Sequence, residues 1–167
     1  NVTLAVPCTE AHGAITYDPD FGTELDAGTH TLTVNVAGSD NYNAASTTVQ
    51  LVVEKAALTI TAVDESRQYS DPNPAWTVTY DGFVFGEDES VLGGTLTFTG
   101  DGPDSDNTTG PGLYDITPGG LTSSNYSITF VNGVLTITPE DANITYVGDR
   151  LVATTGTTEL NLRAVIE

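Results

Sequence analysis

Tyr126-Ser127-Ile128-Thr129-Phe130-Val131-Asn132-Gly133-Val134-Leu135-Thr136-Ile137-Thr138 is the stretch that decides the fold class. In its first half Tyr126, Ile128 and Phe130 fall on one side, with Ser127 and Thr129 on the other. Leu135 and Ile137 repeat the alternation in the second half. A period of two belongs to a half-buried strand, whereas a helix repeats every 3.6 residues. Asn132-Gly133 between two alternating runs predicts a tight hairpin with an inverted turn. Working back toward the start, the same period recurs in Leu96 and Phe98, in Trp76, Val78 and Tyr80, and in Leu58, Ile60 and Ala62. Val49, Leu51 and Val53 continue it, as do His30, Leu32, Val34 and Val36. Toward the end it returns in Leu160, Leu162, Ala164 and Ile166. Threonine fills many of the opposite positions, because its β-branch suits the pleat and its hydroxyl tolerates water.

Asp71-Pro72-Asn73-Pro74, Gly93-Gly94, Gly110-Pro111-Gly112 and Pro118-Gly119-Gly120 read as loops between the strands. No eleven-residue window carries a helical face. Residues 85–92 predict one short helical turn, with acidic Glu87 and Asp88 near its start. The expected architecture is all-β, with tandem Ig-like or β-sandwich modules of about a dozen short strands.

Composition narrows the function. The 167 residues include only 4 Lys and Arg against 23 Asp and Glu, a net charge of −19. A nucleic-acid binder needs clustered basic residues against phosphate, and this chain lacks them. A polybasic contact with a membrane surface is disfavoured for the same reason. No apolar run approaches the ~20 residues of a membrane span. The single cysteine, Cys8, excludes an intrachain disulfide. Scarce lysine with abundant aspartate and threonine fits an extracellular or high-salt setting, where ions screen the self-repulsion.

Two short joints divide the chain. Glu54-Lys55-Ala56 links two strands without a loop, and Thr138-Pro139-Glu140-Asp141 does the same later. The resulting segments are 1–55, 56–139 and 140–167. The middle one is a domain-sized piece, and the outer two are too short to bury sandwiches of their own.

The middle segment carries a set of landmarks. They are Leu58-Thr59-Ile60-Thr61, then Tyr69 before Asp71-Pro72-Asn73-Pro74, then Tyr80-Asp81-Gly82-Phe83 and Gly86-Glu87-Asp88. Val91-Leu92 with Gly94, Gly112 with Tyr114, Asn125-Tyr126 and the run from Phe130 to Thr138 complete it. With these it resembles the MBG-type module found in tandem on bacterial surface proteins. It departs at Ser70, where that family usually has glycine after tyrosine, and at Phe85, where a polar residue is more usual. Segment 1–55 is similar to the latter part of a bacterial Ig-like repeat, through Tyr17 to Val34 and Asn41-Tyr42-Asn43-Ala44. Segment 140–167 is similar to the opening of another, through Glu140-Asp141-Ala142, Thr145-Tyr146, Gly148-Asp149 and Ala164-Val165. Together the outer segments are about as long as one sandwich module, so split modules could complete each other head to tail by adding a strand to an open edge. Otherwise the chain begins and ends mid-array. These resemblances imply a secreted, multi-repeat surface protein with adhesive or spacer roles and no catalytic residues.

The side chains that could carry chemistry are few. Cys8 and His12 are spaced as metal ligands, but a zinc site needs four ligands, or three and a water. The other histidine, His30, falls on an apolar strand face, so a small thiol and a half-buried imidazole are expected instead. Neither is a Cys–His nucleophilic pair expected, since nothing nearby activates the thiol. Acidic loops offer calcium its preferred oxygen ligands, at Asp101, Asp104, Asp106 and Asn107 or around Asp18 and Asp20. The spacing lacks the full calcium-loop pattern and its twelfth-position glutamate, so solvated acidic loops are the competing expectation. A glycosidase would need two carboxyls across a cleft, and no motif singles out a pair. Trp76, Tyr69, Tyr80 and Phe83 could stack a sugar, but Trp76, Val78 and Tyr80 share a face as core residues do. Sequons stand at Asn1, Asn107, Asn125 and Asn143; chance supplies about two in a chain so rich in Ser and Thr, so they are weak evidence for glycosylation. Lys55, the sole lysine, sits at a joint, against an isopeptide crosslink.

The sequence therefore points to a non-catalytic, extracellular structural or adhesive repeat segment of a large bacterial surface or filament protein. It would act as a semi-rigid spacer or polymer building block, with neighbouring repeats as its partners. The competing reading is a carbohydrate- or host-surface-binding module of a secreted protein, with surface glycans as partners. Neither nucleic-acid binding nor membrane insertion is expected. No cofactor is expected beyond calcium at the acidic loops.

Overall fold

The computed structural model describes residues 13–142, 144–147 and 164–166. The protein is all-β, of the sandwich type that the alternation predicts, with no α-helix among the described residues. Twelve strands are described, arranged in four sheets.

Two compact units divide the chain. The first comprises Asn1–Thr61, Thr79–Thr97 and Pro118–Val131. It holds a sheet of order β1-β2-β3, where β1 is Ile15–Asp18, β2 Gly28–Val36 and β3 Ala45–Val53. Both pairings are antiparallel, with Tyr17 opposite Val34 and Leu32 opposite Val49. A second sheet places β4 (Ala56–Ala62) between β6 (Val78–Asp81) and β9 (Tyr126–Val131). The β4–β9 pairing is parallel, with Leu58 opposite Ile128. Leu58, Ile60 and Tyr126 are buried in this unit, while Ala57 is exposed and Thr59 and Thr61 are half-buried. Each fully buried Leu or Ile contributes roughly 1.5–3 kcal/mol over its exposed state.

Residues 85–92 do form one helical turn, a 3₁₀ turn at Glu89–Val91. Asp88 caps it, its carboxylate accepting the Ser90 N–H at 2.9 Å. Hydrogen bonding from Ser90 holds the Asp88 carboxyl below the usual aspartate range.

The second unit comprises Ala62–Val78, Phe98–Thr117 and Asn132–Glu167. One described sheet has the order β5-β10-β8-β7, of which β5, β10 and the first half of β8 fall in this unit. Here β5 is Glu65–Gln68, β7 Gly93–Thr99, β8 Gly112–Thr122 and β10 Gly133–Thr138. The core is Ala62, Ile116, Leu135 and Ile137, with Trp76, Phe98 and Tyr114 packed against it. Trp76 is thus a core residue, as its apolar face predicts. A short pair, β11 (Ile144–Tyr146) and β12 (Ala164–Ile166), runs antiparallel.

Two expectations are corrected here. Asn132-Gly133 is not a hairpin: β9 pairs with β4, whereas β10 pairs with β5 and β8. The glycine is needed for space rather than for a left-handed backbone. A Cβ at Gly133 would lie 2.6 Å from the Ala62 carbonyl oxygen, and its φ is not in the left-handed range. Nor are Gly93-Gly94 and Pro118-Gly119-Gly120 loops: they lie within β7 and β8. Gly94 (φ +83°) and Gly120 (φ +84°) adopt backbone that favours glycine. A Cβ on Gly94 would lie 2.1 Å from the Gly120 carbonyl oxygen, and one on Gly120 2.2 Å from that of Thr95. The glycines therefore mark close backbone approach inside strands.

Candidate functional site

Arg67 is the one buried charged side chain among the described residues, 7 % exposed at an inward position of β5. Its Nε donates to Asn73 Oδ1 at 2.8 Å, one terminal nitrogen to the Gln68 carbonyl at 3.1 Å, and the other to the Asp106 carbonyl at 2.5 Å. Asn73 Nδ2 in turn donates to the Ser105 carbonyl at 2.7 Å, and Ser105 Oγ donates to the Gly102 carbonyl at 2.6 Å. The guanidinium thus ties β5, the Asp71–Pro74 stretch and the acidic loop together through neutral acceptors. No buried side-chain nitrogen or oxygen among the described residues is left without a partner. This satisfies the demand that a buried charge be fully hydrogen-bonded.

The acidic loop that rests on Arg67 holds Asp101, Asp104, Asp106 and Asn107. The Asp106 carboxylate is turned into the loop. It accepts the Thr108 N–H at 2.8 Å and the Thr108 hydroxyl at 2.7 Å, with the Thr109 hydroxyl at 3.3 Å. Those bonds, Thr108 foremost, hold its carboxyl below the usual aspartate range. Around Asp18 and Asp20, Thr23 bonds the Asp20 backbone carbonyl through both its N–H and its hydroxyl. Asp26 accepts from Asn125 Nδ2 at 2.8 Å. Among the described residues no group of three or more His, Cys, Asp or Glu side chains converges as metal ligands do.

A second polar cluster lies in the first unit. The Tyr126 hydroxyl accepts the Val84 N–H at 3.1 Å and donates to Glu87 Oε2. Burial pushes its pKa upward, and the Glu87 carboxylate beside it adds to the shift. Phe83 packs edge-on against Tyr126, with ring centroids 5.4 Å apart, and tilted against Tyr80 at 5.6 Å. Tyr80 and Phe83 therefore belong to an aromatic cluster rather than a free stacking platform.

The remaining candidates take structural places. His30 is half-buried, and its Nε2 lies 2.7 Å from the Asp26 carbonyl oxygen. Lys55 Nζ donates to the Ser123 carbonyl at 2.9 Å. Asn125 is held at both ends of its amide, accepting the Ala27 N–H at 3.0 Å besides donating to Asp26. Cys8, His12, Asn1 and Asn143 lie outside the described residues. The sequence reading missed Arg67. The available signal was an arginine in a short alternating run, six residues before Asn73 in a proline-flanked loop.

Buried aliphatics, a neutral-acceptor arginine hub and self-capped acidic turns are what the described residues of this β-module present. The family comparison agrees. Residues 58–136 match the family model described as the MBG domain of YGX type, and this segment is an MBG-type module. That points to a repeat module of bacterial surface proteins. No curated protein and no solved structure matches the chain. Both departures from the family pattern now have a common geometry. Ser70 (φ +71°) and Phe85 (φ +55°) are the non-glycine residues with left-handed backbone among those described. A glycine after Tyr69 would occupy that conformation without the Cβ penalty. No helix among the described residues is long and apolar enough to cross a membrane.

Proposed function

We propose that the chain is a non-catalytic, extracellular structural or adhesive segment of a large bacterial surface or filament protein, serving as a semi-rigid spacer. The observation that carries this is the MBG-type module at 58–136. The joint before that module supports it. β3 ends at Val53 and β4 begins at Ala56, leaving two residues between strands. Lys55 is pinned to the Ser123 carbonyl, and the Ala56 N–H donates to the Asn125 carbonyl at 3.0 Å. So short and bonded a link restricts bending, whereas a flexible linker would allow it. Neighbouring repeats of the same protein are the natural partners of such a segment. The carbohydrate-binding alternative loses its strongest platform, because Trp76 packs on the core.

Small-angle scattering tests the spacer. The chain is compared with a variant carrying six Gly-Ser residues between Glu54 and Lys55. The expected result is a sharp distance distribution that broadens on insertion. Equal breadth in both would refute a stiff joint. A glycan array with selective binding would favour the alternative.

A further inference from the structure

We propose that the cleft between the start of β2, the end of β3 and the loop at 84–87 is a docking site for an arginine-bearing, aliphatic segment of a partner protein. The cleft lies within the first unit and has a volume of about 130 Å³, room for side chains but not for a helix ~10–12 Å across. Its apolar lining includes Leu25, Val53, Val84 and Phe85. Its carboxylates are Glu24, Asp26, Glu54 and Glu87. Val84 and Phe85 are consecutive, and they are 39 % and 80 % exposed. Phe85 also stands on left-handed backbone, φ +55°, where glycine or asparagine is the usual occupant. A phenylalanine there bears the strain of its Cβ and buries little apolar surface in return. Residues held in this way cluster where a chain binds something.

Charge and chemistry together select the partner. Asp26 accepts from Asn125 and Glu87 from Tyr126. That leaves Glu24 and Glu54, both exposed and without a bonded partner among the described residues. Among the described residues no three carboxylates converge as metal ligands do, so a bare cation is not what they fit. They rim an apolar floor instead, and an arginine matches both parts. Its methylenes cover aliphatic surface, and its planar head stacks on an aromatic ring while bonding a carboxylate in a fork. Lysine fits less well, because its ammonium is strongly hydrated and has no planar face. Exposed Val84 and Phe85 call for an apolar neighbour on the same ligand, which a peptide supplies and a lone small cation does not. The cation comes from another molecule, since the described lysine and arginine, Lys55 and Arg67, are bonded to backbone carbonyls and Asn73. A second copy of this chain would bring another −19 of like charge, whereas a basic partner is drawn in by that charge. The inference goes beyond the spacer reading, and the stiffness of the joint does not enter its test.

The test is a peptide titration of the full 167-residue chain followed by amide NMR. The probe is a short capped peptide alternating leucine with arginine. It is compared with one carrying citrulline for arginine and one carrying serine for leucine. The first should shift the amides of residues 24–27, 53–56 and 84–87, and each of the others should bind about fivefold more weakly or worse. Phe85→Gly should weaken binding about tenfold and yet raise the melting temperature, because glycine holds left-handed backbone without strain. A fall in both would mark Phe85 as a fold residue and overturn the proposal. Glu24→Gln/Glu54→Gln should weaken binding about fivefold with circular dichroism unchanged. Asp101→Asn/Asp104→Asn removes the same charge from another loop and should leave binding within about twofold. Equal losses from the two pairs would show attraction to net charge alone and overturn the proposal. So would a citrulline peptide that binds as well as the arginine one, shifts that bypass the cleft, or full binding by Phe85→Gly.

Discussion

The sheet of residues 13–53 and the module of residues 58–136 use the same vocabulary of alternating valine, leucine, isoleucine and threonine, but only one of them has a core. Every buried residue described lies between Leu58 and Ile137. Among residues 13–55 none is buried, although Leu32, Val34, Val36 and Leu51 alternate as cleanly as Leu58, Ile60 and Ala62. A period of two specifies which face is apolar, and burial requires something to cover that face. In the module Ala62 of β4, Ile116 of β8 and Leu135 and Ile137 of β10 form one cluster, with Trp76, Phe98 and Tyr114 packed against it. In the first sheet the apolar face stays half-open, so its strands rest on cross-strand pairs such as Leu32–Val49, each worth a fraction of a kcal/mol.

Mutations at equivalent chemistry sharpen this contrast. Leu135→Ala, at a site with no exposed surface, is expected to cost about 2–5 kcal/mol in urea unfolding. Leu32→Ala in the first sheet is expected to cost under about 1 kcal/mol, and equal losses would break the comparison. Arg67→Met comes next, at about 2–3 kcal/mol, because it strips hydrogen bonds from Asn73 Oδ1 and the Asp106 carbonyl. Arg67→Lys is not expected to restore them, since one ammonium cannot reach three acceptors spread around a planar fork.

Tyr126→Phe is expected to cost about 1–2 kcal/mol by orphaning the Val84 N–H. It also has a pH signature. The folded-state pKa of Tyr126 is raised, so its stabilisation is complete below the ordinary tyrosine pKa and is lost as pH rises through the folded value. Melting temperature should therefore fall in alkali for the parent chain, and less so for Tyr126→Phe. The smallest effect is a gain: Ser70→Gly relieves a left-handed Cβ and should stabilise by about 0.5 kcal/mol. No gain there would mean that Ser70 Oγ, which donates to Glu140 at 3.3 Å, offsets the strain.

Much of this was legible in the sequence. The β4 and β10 faces, the helical turn at 89–91, the two-residue joint at Glu54-Lys55 and the MBG-type segment all follow from local pattern. What escaped was non-local. Pro118-Gly119-Gly120 looks like a loop because glycine and proline punctuate most chains, and only the approach of the Gly94 and Thr95 backbone shows why they sit in a strand. Asn132-Gly133 has hairpin chemistry, but parallel partners on either side pull β9 and β10 into different sheets. Arg67 escaped because its acceptors, Asn73, Gln68 and Asp106, include backbone carbonyls that no side-chain motif records. The bonds of the Asp106 carboxylate to Thr108 are likewise not legible as a motif.

Amide hydrogen exchange in dilute solution tests the contrast most directly, since protection reports the free energy of opening strand by strand. The amides of β4, β8, β9 and β10 should exchange only through global unfolding of the module. Those of β1, β2 and β3 should exchange through openings several kcal/mol cheaper. Protection as strong in β2 as in β10 would contradict the account, because it would require a covered apolar face where the structure shows an open one.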